Sequence, residues 1–198
     1  LHPRVRRQRQ MCIRDSPSNY FYDEVICSGE AAAKMAVEWL IALGHKKIAY
    51  IGDCTYESRY VGYYQTLLTH HIPFDYRYVH PSTQTEEEGN RIMNDILKEE
   101  DPPTAIFCAN DCTALGVLRS LKKGRKKNYF PSVIAIDNIR KSAKTSPMLT
   151  TIDIPKQELA HFALLLLLDQ QKKAHKECVR IELPCRLIER DSCTYAPS

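Results

Sequence analysis

The sequence predicts an α/β fold built on a parallel sheet. Short apolar runs alternate with longer stretches of helical periodicity from residue 24 to residue 138. This alternating order favours parallel strands joined by right-handed crossovers. After residue 138 the order changes, because a strand and one long helix are followed by two short strands. The length of 198 residues allows one large domain or two small lobes with a hydrophobic core.

The predicted strands are short runs rich in β-branched and aromatic residues. The runs K-I-A-Y-I-G at 47–52 and A-I-F at 105–107 do not alternate with polar residues. Uninterrupted apolar runs of this kind are typical of strands that are buried on both faces. The predicted strands span residues 24–27, 47–52, 75–79, 105–108, 133–136, 149–152, 179–183 and 185–189.

The predicted helices carry an apolar face and recognisable signals at their ends. Gly44 follows the first helix and suits a C-cap. Thr85 with Glu88 forms a predicted capping box at the start of the third helix. Pro73 follows the second helix, which must end before it. The predicted helices span residues 30–43, 57–70, 85–99, 112–122 and 156–170.

Residues 1–16 are set apart from the fold. The run R-R-Q-R-Q-M-C-I-R-D-S at 6–16 resembles the translation of a transposon adapter used to build sequencing libraries. We therefore predict that 1–16 is an adapter-derived, non-native segment, the alternative being a natural disordered basic arm. It contains five arginines and one aspartate, so it carries the whole net charge of +4. The 23 basic and 23 acidic residues that remain give no indication of nucleic-acid binding.

Composition and motifs narrow the classes of function. The longest apolar run, 163–168, is too short to span a membrane, and no signal peptide is visible, so the cytoplasm is the expected location. The cysteines beyond residue 16 form no C-x-x-C pair, which predicts reduced thiols and no metal site. The basic cluster at 122–127 predicts a solvated loop rather than a phosphate-binding patch. Nucleophile-elbow, P-loop, zinc-protease and dinucleotide motifs are missing, so we expect no enzyme and no cofactor.

Polar residues follow two of the predicted strands at the point where each strand ends. Asn110 and Asp111 come after 105–108, and Asp137 comes after 133–136. Ligands of open α/β sheets bind outside the carboxyl ends of the strands, so these positions predict part of a small-molecule site. Two local roles compete with this interpretation. Asp111 suits a helix N-cap, and Asp137 suits a turn cap.

Six segments, taken in order, resemble the LacI/GalR family of bacterial transcription regulators. The resemblance covers nearly all of residues 25–193. It implies a type I periplasmic-binding-protein-like fold with two α/β lobes joined by three crossovers. The segments are L-I-A-L-G-H-K-K-I-A-Y-I-G (40–52), S-R-Y-V-G-Y-Y (58–64), P-T-A-I-F-C-A-N-D-C-T-A-L-G-V-L (103–118), V-I-A-I-D-N (133–138), P-M-L-T-T-I-D-I-P (147–155) and L-I-E-R-D-S (187–192).

The resemblance also implies how the chain is divided. The family's N-terminal helix-turn-helix, its hinge and most of the first lobe would be absent, which leaves a parallel-sheet lobe with fragments of the other. A helix at about 28–43 and one at about 154–171 would belong to the first lobe. The expected parts are a first-lobe remnant (17–45), the second lobe (46–138), a crossover with a first-lobe helix (139–175), and a return to the second lobe with the C-terminal tail (176–198).

Site residues carry over from the resemblance by position. Arg59 matches the arginine that forks onto ligand hydroxyls or a carboxylate, although it could instead form a salt bridge with Asp53 or Glu57. Asn110 matches a polar ligand contact, and Asp137 matches a carboxylate that accepts from sugar hydroxyls. Tyr56 would supply an apolar face to a ring. Asp111 belongs to the same site, with the N-cap as its favoured role.

The function implied by the resemblance is that of an effector-binding and dimerisation module of a regulator. The effector would be a sugar or related polyol, and the partner a second copy of the chain. Operator DNA would be bound only through the absent helix-turn-helix, and no membrane contact is expected. The alternative is a sugar-binding protein of a transport system, which shares the fold.

Overall fold

The structure is a computed structural model that describes residues 22–55, 57–124, 129–172 and 175–197. The chain divides into two compact units. The smaller unit contains the residues up to Ser28 and Pro155–Cys185, and the larger contains Gly29–Ile154 and Arg186–Ser198. The chain therefore passes between the units three times, after Ser28, after Ile154 and after Cys185.

The elements follow the predicted order, and most of their ends agree with the prediction within two residues. They are β1 (Glu24–Ile26), α1 (Gly29–Ala42), β2 (Ile48–Gly52), α2 (Ser58–Thr69), β3 (Val79–Pro81), α3 (Glu86–Ile96), β4 (Ala105–Cys108), α4 (Asp111–Lys123), β5 (Ser132–Ile136), β6 (Thr150–Asp153), α5 (Lys156–Lys172), β7 (Arg180–Glu182) and β8 (Arg186–Ile188).

The third predicted strand is the largest exception, and the third helix ends three residues earlier than predicted, at Ile96. The prediction placed a strand at 75–79, whereas the chain forms a 3₁₀ turn at Tyr76–Tyr78 and the strand β3 only after it. The carboxylate of Asp75 accepts a hydrogen bond from the main-chain nitrogen of Arg77 at 2.9 Å. This local side-chain bond stabilises the turn and delays the strand.

A six-stranded sheet forms the centre of the larger unit. Its strand order is β3-β2-β4-β5-β6-β8. The first five strands are parallel, and β8 runs antiparallel to β6. This arrangement confirms the predicted α/β fold with a mostly parallel sheet.

Helices cover both faces of this sheet. Against one face, α3 and α4 bury a cluster that includes Met93, Ile96 and Val117 together with Ile106 of β4. On the other face, Tyr63 of α2 stacks on Tyr50 of β2, with ring centroids 5.3 Å apart. Because both faces are covered, β2, β4 and β5 are buried along their whole length, as their uninterrupted apolar runs predict.

Two of the predicted helix-end signals can be followed in the structure. Gly44 has a φ of +89°, and its main-chain nitrogen donates to the Ile41 carbonyl while that of His45 donates to Leu40. These paired bonds form a Schellman motif, which requires the left-handed backbone that glycine adopts easily. The hydroxyl of Thr85 caps α3 by accepting from the Glu88 nitrogen at 3.2 Å, and the Glu88 carboxylate pairs with Arg91.

The division of the chain differs from the one expected. The segment 17–45 was expected to be a first-lobe remnant, but α1 lies in the larger unit. This helix buries a row of small and aliphatic residues and packs against α2, where a side chain at Gly62 would lie 2.5 Å from the Glu30 carbonyl. Residues 139–154 also belong to the larger unit, and β7 belongs to the smaller. The return to the larger unit therefore begins at Arg186, later than the expected residue 176.

The smaller unit contains a two-stranded parallel sheet of β1 and β7 and the long helix α5. Leu159 is buried in α5, whereas several leucines further along it are exposed. Among the described residues, no helix is both long and apolar enough to cross a membrane.

Candidate functional site

The parallel strands of the larger unit bring predicted site residues together at one edge. We call this the carboxyl edge and define it by Glu57, Arg59, Gln84, Asn110 and Asp137. These residues follow β2, β3, β4 and β5, or begin the helix after one of them. Because neighbouring parallel strands end on the same side of a sheet, side chains distant in sequence meet here.

Arg59 lies at the centre of the carboxyl edge. Its Nη1 donates to the Ala109 carbonyl at 2.8 Å, which anchors the guanidinium to the end of β4. The same nitrogen lies 3.1 Å from Glu57 Oε1, and Nη2 lies 3.8 Å from Asp137 Oδ1. The salt bridge that sequence reasoning set against a ligand role is therefore present, with Glu57. Because Glu57 pairs with Nη1, the other guanidinium nitrogen, Nη2, faces the carboxylate of Asp137.

Glu57 is a component of the edge that sequence reasoning treated only as a possible partner of Arg59. Burial raises the pKa of its carboxyl, while the charge of Arg59 and a hydrogen bond from Gln84 act in the opposite direction. The Gln84 amide donates to Glu57 Oε2 at 2.5 Å. Glu57 thus ties the guanidinium to the loop that follows β3.

Gln84 was missed by the sequence analysis altogether. The Asn110 amide nitrogen donates to both the main-chain oxygen and the side-chain oxygen of Gln84, at 3.1 and 3.2 Å. Gln84 has a φ of +62°, a backbone conformation that non-glycine residues rarely adopt. It follows a parallel strand and precedes a helix, so the rule that selected Asn110 would also have selected Gln84 had β3 been placed correctly.

The N-cap of α4 is Asn110, the residue before the predicted one. Asp111 was predicted to be the N-cap of α4, and this is wrong, because the cap is Asn110. Asn110 has the extended backbone that a cap needs, and its Oδ1 accepts from the Thr113 nitrogen at 2.8 Å. Its amide nitrogen contacts Gln84, so the whole Asn110 side chain is engaged with the protein.

Asp111 is instead a fully buried carboxylate that contacts a distant loop. It accepts hydrogen bonds from the Ile139 nitrogen at 2.8 Å and from the Ser142 hydroxyl at 2.5 Å. Its other oxygen accepts from the Thr151 hydroxyl at 2.6 Å. These bonds satisfy the buried charge and anchor the segment that follows Asp137.

Asp137 has a strained backbone at the end of β5. Its φ is +120°, and that of Asn138 is +49°. The surrounding structure imposes these values, since the Asp137 nitrogen donates to the Ile152 carbonyl at 2.9 Å and Arg190 donates to the Asn138 side chain at 2.7 Å. Strain maintained by so many contacts is common at binding sites.

The remaining features considered from the sequence are Tyr56, the tyrosines, the basic cluster and the metal-ligating residue types. Tyr56 lies outside the described residues. Tyr63 of α2 and Tyr50 of β2 are buried in the core and stack on each other. In the basic cluster, Lys122 and Lys123 end α4, and residues 125–127 lie outside the described part of the chain. Within the described ranges, no three His, Cys, Asp or Glu side chains are grouped as metal ligands would be.

A mostly parallel α/β unit with polar side chains gathered at its carboxyl edge is the architecture of periplasmic-binding-protein-like domains. A family model described as "Periplasmic binding protein-like domain" matches residues 37–193, and the chain belongs to this family. Its relatives are regulators, which confirms the resemblance to the LacI/GalR family rather than to transport proteins.

Three relatives illustrate this. The chain is 38% identical to the HTH-type transcriptional repressor CytR of Escherichia coli (strain K12) over 173 residues, which are 84% of this chain and 50% of CytR. It is 32% identical to the HTH-type transcriptional repressor PurR of Photorhabdus laumondii over 182 residues, 89% of this chain and 53% of PurR. The structure of a LacI family transcriptional regulator from Enterococcus faecium with bound ribose has a TM-score of 0.83 and 28% identity, covering 93% of this chain and 70% of that one. The chain spans about half the length of the curated relatives it matches.

Proposed function

We propose that this chain is the effector-binding module of a LacI/GalR-type transcriptional repressor and that its effector is an uncharged sugar or related polyol. The observation that carries the proposal is the position of Arg59 between two carboxylates at the carboxyl edge. The role assigned to this edge is binding rather than catalysis.

The geometry around Arg59 suits a hydroxyl group. Nη2 of Arg59 and Oδ1 of Asp137 are 3.8 Å apart, which is longer than a hydrogen bond. A ligand hydroxyl can accept from the guanidinium and donate to the carboxylate at the same time, because it is both donor and acceptor. Paired hydroxyls on a sugar ring match this donor and acceptor pair.

The charge of the edge disfavours an anionic effector. One guanidinium faces two carboxylates, Glu57 and Asp137, whose side chains are 18% and 28% exposed. A phosphate or carboxylate brought to Arg59 would meet these two like charges in a partly desolvated setting. The ribose bound to the Enterococcus faecium regulator is an uncharged polyol of the proposed class.

The other residues of the site have supporting roles in this proposal. Asn110 holds Gln84, which would then form part of the wall, and a direct ligand contact by Asn110 would require its amide to release Gln84. Asp111 acts through the Asp137 segment, since its oxygens are engaged by Ile139, Ser142 and Thr151. Tyr56 keeps its predicted role as the face against a ring.

We extend the proposal to the partners of the whole regulator. The names of CytR and PurR describe HTH-type repressors. We propose that a protein carrying this chain binds operator DNA through a helix-turn-helix, forms a homodimer and acts in the cytoplasm.

A thermal-shift screen tests the effector class. The chain is heated with ribose, other neutral monosaccharides and nucleosides, and separately with ribose 5-phosphate and inorganic phosphate. A ligand at about 100 times its Kd stabilises the folded state by about 2.7 kcal/mol. We expect neutral polyols to raise the Tm and the phosphorylated forms to have no effect. Stabilisation by the phosphorylated forms alone would refute the proposed class.

A further inference from the structure

Two cysteines of the smaller unit lie side by side where the chain leaves that unit. In the parallel pair of β1 and β7, Ile26 is aligned with Glu182, and the Leu183 nitrogen donates to the Ile26 carbonyl at 2.8 Å. Cys27 follows β1 directly, and Cys185 lies just beyond β7. The Cys27 thiol is hydrogen-bonded to the sulfur of Cys185.

The positions of these cysteines in the chain set them apart from the other thiols. Cys27 is one residue before the passage after Ser28, and Cys185 is the last residue before the passage into Arg186. Two of the three chain passages between the units therefore begin at this thiol pair.

The two thiols differ in exposure and acidity. Cys27 is only 6% exposed, whereas Cys185 is half-buried. The hydrogen bond from Cys27 lowers the pKa of Cys185 to about 7, although burial opposes this shift. Burial instead raises the pKa of Cys54 and of Cys193 to about 11. Cys185 is thus a half-buried thiol that ionises more readily than Cys54 or Cys193 and is hydrogen-bonded to a second thiol, the arrangement of an attacking and a resolving cysteine.

We propose that Cys27 and Cys185 form a peroxide-sensitive oxidation site that closes into a reversible disulfide. The Cys185 thiolate attacks one oxygen of hydrogen peroxide, the O–O bond breaks, and a sulfenic acid forms as hydroxide leaves and takes up a proton. The Cys27 sulfur then attacks the sulfenic sulfur, the S–O bond breaks, and a second water is released. Two thiols are oxidised by two electrons, and one peroxide is reduced to two waters.

The disulfide would covalently join two of the three chain passages. Cross-linking residues 27 and 185 also closes a long loop, so the oxidised chain should unfold at a higher temperature than the reduced one. Thiol reductants return it to the starting state. The proposal does not depend on the identity of the effector.

Peptide mapping of the full chain tests the proposal. Trypsin releases Cys27 in the peptide 15–34 and Cys185 in the peptide 181–186, and each of these contains one cysteine. Reduced protein is treated with hydrogen peroxide, blocked with an alkylating reagent, digested without reductant and analysed by mass spectrometry. We expect the two peptides to appear as one disulfide-linked species that reductant separates.

Alkylation rates and variants complete the test. At pH 7 we expect Cys185 to be alkylated on the order of 10- to 100-fold faster than Cys54.

Two variants test the roles of the thiols. Cys27→Ser should leave a sulfenic acid on Cys185 that dimedone labels. Cys178→Ser removes an exposed thiol of the same unit and should leave the cross-link intact. Peroxide that oxidises Cys178 while peptides 15–34 and 181–186 stay unlinked would overturn the proposal, as would a link from Cys185 to another cysteine. The wild-type mapping decides the matter even if a variant does not fold.

Discussion

The polar side chains at the two edges of the larger sheet differ in burial and in hydrogen bonding. At the amino edge, defined by His45, Thr104, Ser132 and Thr194, the buried His45 ring is hydrogen-bonded through Nδ1 to the Thr104 hydroxyl at 3.0 Å. Its Nε2 lies 2.9 Å from both the Ser132 hydroxyl and the Thr194 carbonyl. At the carboxyl edge, Arg59 and Asp137 are partly exposed and stand 3.8 Å apart on strained backbone.

We infer from this difference that the amino-edge groups serve the stability of the fold and the carboxyl-edge groups serve ligand binding. The amino-edge groups satisfy one another and are 1% exposed at both His45 and Ser132, so their hydrogen bonds stabilise the fold. At the carboxyl edge, Arg59 and Asp137 are partly exposed, and their charged atoms lie farther apart than a hydrogen bond. Substitutions at the two edges should therefore have separable effects on stability and affinity.

The largest expected effect is on ligand affinity at the carboxyl edge. Arg59→Ala and Asp137→Ala should each weaken binding of the proposed polyol effector by about 2–5 kcal/mol, because each removes a charged group that would be hydrogen-bonded to a ligand hydroxyl. Isothermal titration calorimetry would measure this, with Arg91→Ala, an exposed arginine on α3, as the control. Wild-type affinity in both site variants would refute the assignment of this edge.

The next largest effect is on stability at the amino edge. His45→Ala should lower the free energy of unfolding by about 2–4 kcal/mol, since it removes buried volume and leaves the Thr104 and Ser132 hydroxyls without the imidazole. Urea unfolding gives the value. His161→Ala on α5 is the matched control. A His45 variant as stable as wild type would show that the amino-edge network is not a stability element.

A smaller effect concerns backbone strain at the carboxyl edge, where glycine should give a more stable protein than alanine. Asp137→Gly should raise the free energy of unfolding by about 1 kcal/mol over Asp137→Ala, because glycine adopts a φ of +120° without strain. Both variants lose the carboxylate, so both should bind the proposed polyol effector poorly. Equal unfolding free energies for the two would indicate that Asp137 stores no strain.

The smallest effect is a pH dependence of opposite sign at the two edges. Burial lowers the pKa of His45 below its ordinary 6.5. Its contribution to stability is therefore present above pH 6.5 and is lost as the pH falls through the lower folded value. Burial raises the pKa of Glu57 above 4.5, so its contribution is present below that value and is lost as the pH rises through the higher folded value.

Two variants test which residue causes each pH dependence of the unfolding free energy. We expect Glu57→Gln to remove the loss of stability that begins above pH 4.5, and His45→Phe to remove the loss that begins below pH 6.5. Chemical unfolding curves at closely spaced pH values would measure both. A slope that survives in the corresponding variant would belong to another group.

Much of the fold could be predicted because its signals are local. The strand β4 and the helix α4 follow from an apolar run and a helical repeat within residues 103–118. Position after a strand also selected Asn110 and Asp137, while Arg59 came from the family resemblance. The unit that contains α1 could not be predicted in this way, because its small apolar face fits either lobe until its contact with α2 at Gly62 is known.

The roles within the site depended on longer-range contacts. Asn110 and Asp111 are neighbours of similar shape, and either can cap a helix. Gln84 was missed because the turn capped by Asp75 displaced the strand before it.

The sequence by itself determined the α/β order, the ends of most helices and the family, since these depend on periodicity, capping residues and motifs within short windows. Only the tertiary structure decided what the polar groups do. Asp111 became a buried anchor rather than a cap because its partners Ile139 and Thr151 lie 28 and 40 residues away along the chain. Cys27 and Cys185 became a pair because parallel strands bring together segments that short-range patterns cannot connect.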